Sequence, residues 1–217
     1  EAGDLRRRHA EYFLTLAERA APELRGARQQ HWSVRLRAEQ DNLRTALAWS
    51  LGEGEAELGL RLVGALRDFW FFDGRGAEGL RWTERILESA QDAPPAARAG
   101  ALNAAGLLCI DTGDYKKGKT YNGEALAIYR EFGDEVGSAW ALVFLSVHAM
   151  PFPAECKEGI VLCQEGLLLF RESGHKPGIM QALTALGELG RVDGDYDLAQ
   201  KAYEECLALS REAGDKL

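Results

Sequence analysis

The stretch GDYKKGKTYNGEALAIYREFGD, Gly113–Asp134, returns further along the chain as GDYDLAQKAYEECLALSREAGD, Gly194–Asp215. Neither copy carries a reactive constellation, so the phrase is architectural, and function has to be read from how the copies stack. A third, degraded copy, CKEGIVLCQEGLLLFRESGH (Cys156–His175), lies between them. Gly133, Gly174 and Gly214 mark the period, which is about 40 residues. Upstream of each copy sits a partner segment, in which Gly106, Ser146 and Gly187 hold equivalent places at the same spacing. A fourth unit precedes these, LRLVGALRDFWFFDGRGAEGLRWTERILES, where Gly74 takes the place that Gly113 holds in the next. A fixed period of this size is the mark of a repeat architecture and has to be settled before anything else.

Each unit reads as two helices. In the first segment Leu102, Ala105, Gly106 and Cys109 recur at three- and four-residue spacing, as do Leu183, Leu186, Gly187 and Gly190. The second segment repeats the pattern with Ala125, Leu126 and Tyr129, or Tyr203, Cys206, Leu207 and Ser210. Gly113-Asp114 and Gly194-Asp195 supply the turn: glycine accepts positive φ, and aspartate caps the next helix. Small residues at Gly106, Gly118, Gly159, Gly187 and Ala199 fall where helices cross most closely. One hairpin cannot bury its own apolar stripe, but stacked neighbours can. The predicted helices cover 5–20, 30–51, 57–73, 77–90, 96–112, 115–132, 136–150, 155–172, 177–193 and 196–213.

Leu102-x3-Gly106…Gly113-Asp114-Tyr115…Ala125-Leu126 and Leu183-x3-Gly187…Gly194-Asp195-Tyr196-x2-Ala199…Cys206-Leu207 resemble tetratricopeptide (TPR) repeats in a variant with a period near 40. The resemblance implies an all-α fold: a right-handed α-α superhelix of about ten helices in five antiparallel hairpins. Residues 1–55 form an N-terminal hairpin, a cap or a joint to an upstream domain. Residues 56–217 hold the repeats, at about 56–94, 95–134, 135–175 and 176–215.

The front of the chain resembles something narrower. His9, Tyr12, Leu16 and Ala17, then Trp32 and Leu36, then Asp41-Asn42-Leu43-Arg44 with Ala46-Leu47 and Trp49 are similar to a stretch of bacterial STAND-type signal-transduction ATPases. Many of those are transcriptional regulators of the LuxR-like or antibiotic-regulatory type, and this stretch joins their nucleotide-binding part to a TPR sensor region. The sequence has no Walker A motif and no identifiable DNA-reading helix. The resemblance therefore implies a sensor and scaffold region without its motor or its output. The chain begins at Glu1 and not at a methionine, which reads as a piece of something longer. The alternative is a free-standing TPR adaptor that binds a peptide or helix of a partner protein.

The net charge of −8 argues against nucleic acid lying on the bulk of this surface. Arg6, Arg7 and Arg8 form the densest basic cluster, read as a solvated first turn or as a contact with a preceding domain. No apolar run approaches the ~18 residues a membrane span requires. Cys109, Cys156, Cys163 and Cys206 show neither zinc spacing nor a disulfide framework, and are expected to be reduced packing residues of a cytoplasmic protein. The four histidines are dispersed, with His148 read as a packed or rim side chain. Asp111, Asp114, Asp193 and Asp195 fall at turns and read as caps. No cofactor, metal or catalytic residue is expected, and the function expected is non-catalytic.

The first helix of each TPR unit lines the hollow side, and carrying positions across gives Asp68 and Phe71, Asn103 and Leu107, Trp140, Val143 and Val147, and Thr184, Glu188 and Arg191. The middle of this surface is apolar and its ends are polar, which suits a helix, an extended peptide or an apolar small molecule. The competing expectation is that tight curvature simply buries Trp140 and Val143. The run DFWFFDG (Asp68–Gly74) has four consecutive aromatics, which cannot all face one core on a helix; the N-terminal hairpin, residues 5–51, is expected to cover one side and bury most of them, and the alternative is that one or two, Phe71 first, floor a ligand groove. MPFPAECKEG breaks the middle turn, as loop drift or as a contact site. The partner expected is a protein or peptide, with an apolar small molecule as the alternative; direct nucleic-acid and membrane contact are not expected. A homodimer through the exposed solenoid end is a further expectation.

Overall fold

The structure is a computed structural model that describes residues 2–52 and 55–212. Eleven α-helices cover most of the described residues: α1 Ala2–Ala20, α2 Gln29–Ala38, α3 Gln40–Gly52, α4 Ala56–Phe72, α5 Gly76–Ser89, α6 Pro95–Thr112, α7 Tyr115–Glu131, α8 Glu135–Val147, α9 Cys156–Glu172, α10 Lys176–Asp193 and α11 Tyr196–Glu212. One predicted helix is corrected. The segment 30–51 is two helices, because Glu39 (φ −98°, ψ 10°) leaves the helical ladder and closes α2 through its N–H to Arg35 and Arg37. Its carboxylate then accepts from Asn42 Nδ2 at 2.7 Å.

The turns follow from their glycines. Gly113 and Gly194 sit in the left-handed region, at φ 73° and 85°. Asp114 and Asp195 then accept the N–H groups of Lys117 and Leu198 at 3.2 and 3.0 Å, meeting helix-start donors that otherwise lack acceptors. Gly133 and Gly174 end α7 and α9 in the same conformation, and each is followed by the same 6→1 closure: Asp134 N to Tyr129 O, and His175 N to Phe170 O, both 2.9 Å. The next cap is Asp134 in one unit and His175 in the other, whose Nδ1 accepts from Gly178 N at 3.0 Å.

The chain divides into two compact units, Glu1–Gly113 and Asp114–Leu217. In the first, α1 packs on α3 and α4, α3 reaches α5, and α4, α5 and α6 pack on one another. α6 is its core helix, buried from Ala101 to Cys109. In the second unit each helix from α7 to α11 packs on the next, and α8 also meets α10, the contact that stacked hairpins produce. α8 is buried along Gly137–Phe144, as a helix apolar on every side must be. α5 shows the opposite pattern: Leu80, Thr83, Ile86 and Leu87 are buried, while Arg81, Arg85 and Glu88 face out.

All four cysteines are free thiols; three are buried and Cys206 is half-buried. Burial pushes the Cys163 thiol up to about 12, so it stays protonated as a packing group. Among the described residues no helix is long and apolar enough to cross a membrane.

Candidate binding site

The residues expected to line the hollow side divide between surface and core. In the first unit Asp68 is not a groove residue. Its side chain is 6% exposed and takes two hydrogen bonds from Arg25, Nη2 to Oδ1 at 2.5 Å and Nε to Oδ2 at 3.0 Å. Arg67 Nε stands 3.8 Å away. Burial pushes the Asp68 carboxyl up, but the charges of Arg25 and Arg67 outweigh it and hold the group below the usual carboxylate range. Arg25 also lies over the Phe72 ring, 5.2 Å from its centroid. This cluster ties the segment after α1 to α4. Phe71 is half-buried, edge-on to Phe72 at 5.5 Å, whereas Phe69 and Trp70 are in the core. Asn103 and Leu107, on α6, are buried.

In the second unit Trp140 and Val143 are core side chains. Trp140 meets Phe144, Phe170 and His175 with ring centroids 5.4, 5.0 and 5.8 Å apart. With Leu107 at 2%, Trp140 at 6% and Val143 at 0% exposure, the residues expected to form an apolar floor are packed against their own neighbours. Repeat arithmetic points to an inward face, but an inward face between long helices is also where packing is densest. Val147 is half-buried.

The polar end differs. Thr184, Glu188 and Arg191 lie four and three residues apart along α10, hence on one helix face, and Thr184 and Arg191 are exposed. Glu188 accepts from Tyr203 Oη at 2.5 Å and from Arg191 Nη2 at 2.7 Å. The Tyr203 hydrogen bond, then the Arg191 bond and charge, hold the Glu188 carboxyl low; burial, then Glu188, pushes the Tyr203 phenol up to about 12. The phenol is thus a fixed donor. Gly187 makes room for it, since a Cβ there would lie 2.5 Å from Tyr203 Cε1. The Thr184 hydroxyl, on the same face, lies 3.6 Å from Cys206 Sγ.

His148 is fully buried, its Nε2 3.0 Å from Asn122 Oδ1, and its ring occupies the space that a side chain on Gly118 would need. It is the packed histidine the sequence suggests. Asp111 does cap a helix, but not the one that follows it: it receives the Gly76 N–H at the start of α5. Burial there raises the Asp111 carboxyl above its ordinary value despite that hydrogen bond.

Two clefts in the first unit were not anticipated. One, of about 320 Å³ between α3 and α5, is lined by Arg44, Glu78, Arg81, Trp82 and Arg85. Much of its charge is already spent internally. Glu78 takes Arg44 Nε at 2.7 Å and Nη2 at 3.0 Å, and that hydrogen bond keeps its carboxyl low. The other, of about 520 Å³ between α1 and α3, is lined by the apolar or small residues Leu5, Ala48, Trp49 and Gly52 together with Arg6, His9 and Thr45. Its sequence signal is the small pair Ala48 and Gly52, one turn apart on α3 facing a leucine one turn from a histidine. That signal is visible only once α1 and α3 are known to be neighbours.

Comparison with known proteins bears on both fold and role. No family model matches the chain. It is 30% identical, over 98% of its length, to proteins named as HTH-type transcriptional regulators: Rv0890c of Mycobacterium tuberculosis and Mb0914c of Mycobacterium bovis. It spans about 25% of the length of these relatives. Among solved structures it is similar to BtubC (BKLC) of P. vanneervenii, at 16% identity and TM-score 0.66, covering 100% of this chain and 94% of that one. It is equally similar to a Podosopora anserina kinesin light chain variant with nearly identical TPR-like repeats, at 13% identity and TM-score 0.66, covering 99% and 98%. Aspartyl phosphate phosphatase F of Bacillus subtilis matches at TM-score 0.68 and 11% identity, this chain covering 54% of it. The fold is a TPR-like helical repeat.

Proposed function

We propose that this chain is the sensor and regulatory TPR region of a bacterial multidomain transcriptional regulator, acting in the cytoplasm as a non-catalytic scaffold. One observation carries the reading: the chain aligns nearly end to end, over 98% of its length, with a quarter of proteins named as HTH-type transcriptional regulators. A quarter of such a protein, built of TPR-like helices and carrying a net charge of −8, suits a part that senses and relays rather than one that reads DNA. Of the inward positions, Phe71, Val147, Thr184, Glu188 and Arg191 retain surface for a partner, and the exposed face of α10 is the region where a peptide or helix docks.

The test is made in the full reading frame. Glu188→Lys with Arg191→Glu is expected to abolish or lock the response of a target-promoter reporter, while promoter binding by the same protein in a gel-shift assay stays unchanged. An unchanged response retires the α10 face. A reading frame without a DNA-binding portion retires the regulator and favours the second reading, a free-standing adaptor. That second reading draws on two solved relatives, 94% and 98% of whose chains consist of the matched fold.

A further inference from the structure

We propose that the cleft between α1 and α3 is a binding site for an apolar organic monoanion, a small molecule with a hydrocarbon body and one carboxylate. Its volume of about 520 Å³ falls in the ~300–1,000 Å³ range of ligand sites. The lining has the composition such sites require, mostly apolar with a few polar groups. Room exists because Ala48 and Gly52 present little or no side chain on the α3 wall, while Leu5 stands opposite with 70% of its surface exposed. An apolar side chain this open beside an unfilled apolar hollow is surface that a ligand would take out of water.

Charge selects the ligand's head group. Of the three consecutive arginines at the start of α1, Arg7 pairs with Glu11 at 3.2 Å and Glu55 at 3.6 Å, and Arg8 pairs with Asp4 at 3.1 Å. Arg6 is the member that lines the cleft, and among the described residues no carboxylate pairs with it. A guanidinium matches a carboxylate through two parallel hydrogen bonds. A single cation at an apolar cleft suits one negative charge and not a phosphate dianion or a polyanion. Trp49, on the α3 wall, contributes its ring as apolar surface and places a reporter beside the hollow. The α3 wall runs from Thr45 to Gly52, about 10 Å at 1.5 Å per residue, the length of an extended eight- to ten-carbon chain, and the α1 wall from Leu5 to His9 covers about 6 Å of it.

The test uses the 217-residue chain with decanoate as probe, at concentrations below micelle formation, followed by the indole N–H resonance of Trp49 in ¹⁵N-labelled protein. Decanoate is expected to shift that resonance saturably and more strongly than decanol or decylamine. Arg6→Gln, a change at an exposed side chain, is expected to weaken decanoate about fivefold, the worth of one solvent-edged ion pair, and to leave decanol unchanged. Ala48→Trp, which fills the hollow, is expected to abolish binding, with folding checked by circular dichroism. The proposal is overturned if decanoate leaves the Trp49 resonance in place, if decylamine binds as tightly, or if Arg6→Gln binds decanoate as the parent does. The titration involves neither DNA nor any other domain, so its failure leaves the regulator reading standing.

Discussion

The two units hold their helices together by different means. In the second, the ties repeat. Arg130 Nη2 meets Glu165 Oε1 at 2.6 Å, and one period further on Arg171 Nη2 meets Glu205 Oε1 at the same distance. Asp134 and His175, likewise one period apart, cap successive helices, and the glycines before them close the preceding helices identically. In the first unit the ties are single events without a period. Arg25 to Asp68, Arg37 to Asp73, Arg44 to Glu78 and Arg61 to Glu18 each join a segment ahead of the repeats to α4, to α5 or to the turn between them. A repeated tie can be as weak as a surface ion pair because many copies share the load with a continuous apolar stack. Of the single ties only Arg25–Asp68 is buried on both sides; Arg37, Arg44 and the Arg61–Glu18 pair are about half exposed, so one buried tie distinguishes the first unit.

The sharpest way to break that contrast is Asp68→Ala. It leaves Arg25, whose side chain is 9% exposed, buried without its carboxylate, and is expected to cost about 3–5 kcal/mol in urea unfolding. The same pair sets a pH dependence. The folded Asp68 carboxyl lies below its unfolded value, so its contribution is complete above the unfolded pKa, about 3.9, and is lost as pH falls toward the folded one. Stability should therefore decline with acid below about pH 4, and Asp68→Asn should flatten that part of the curve. An Asp68→Ala variant as stable as the parent would remove the distinction between the units. Next in size is Gly187→Ala, which drives a methyl into Tyr203 and strains its bond to Glu188; a loss of about 1–3 kcal/mol is expected by thermal unfolding. Smallest is Arg130→Ala or Arg171→Ala, at roughly 0.5 kcal/mol or less each, since both partners of each pair are about half exposed. A loss several times larger in either variant would show that the repeated ties are not the weak ones.

These regions also differ in what the sequence discloses. Glycine followed by aspartate at a fixed period states the turn, the cap and the stacking together, because each is a local backbone requirement, and Gly113-Asp114 and Gly194-Asp195 adopt the expected conformation. The helix break at Glu39 has no such signal: neither glycine nor proline marks it. Asp68 is misread as a groove residue for a related reason. Its partner lies 43 residues earlier, in a segment outside the repeat, and only the packing of α1 on α4 brings them together. Trp140 and Val143 are assigned to an inward face, but the hydrophobic period reports which way a side chain points and not how far the neighbouring helix stands. The cleft at Ala48 and Gly52 is hidden in the same way, since an absence of side chain on one helix has meaning only when the opposing helix is known.

The matched arginine–glutamate rungs of the second unit carry an evolutionary consequence. An in-frame loss of positions 131–171 would join Arg130 to Glu172 and bring Arg130 opposite Glu205, with the turn glycine and its closure restored at the junction. Unequal crossing-over could thus shorten or lengthen this part of the gene by whole units while keeping this rung matched, whereas the unrepeated pairing of Arg25 with Asp68 can be inherited only entire.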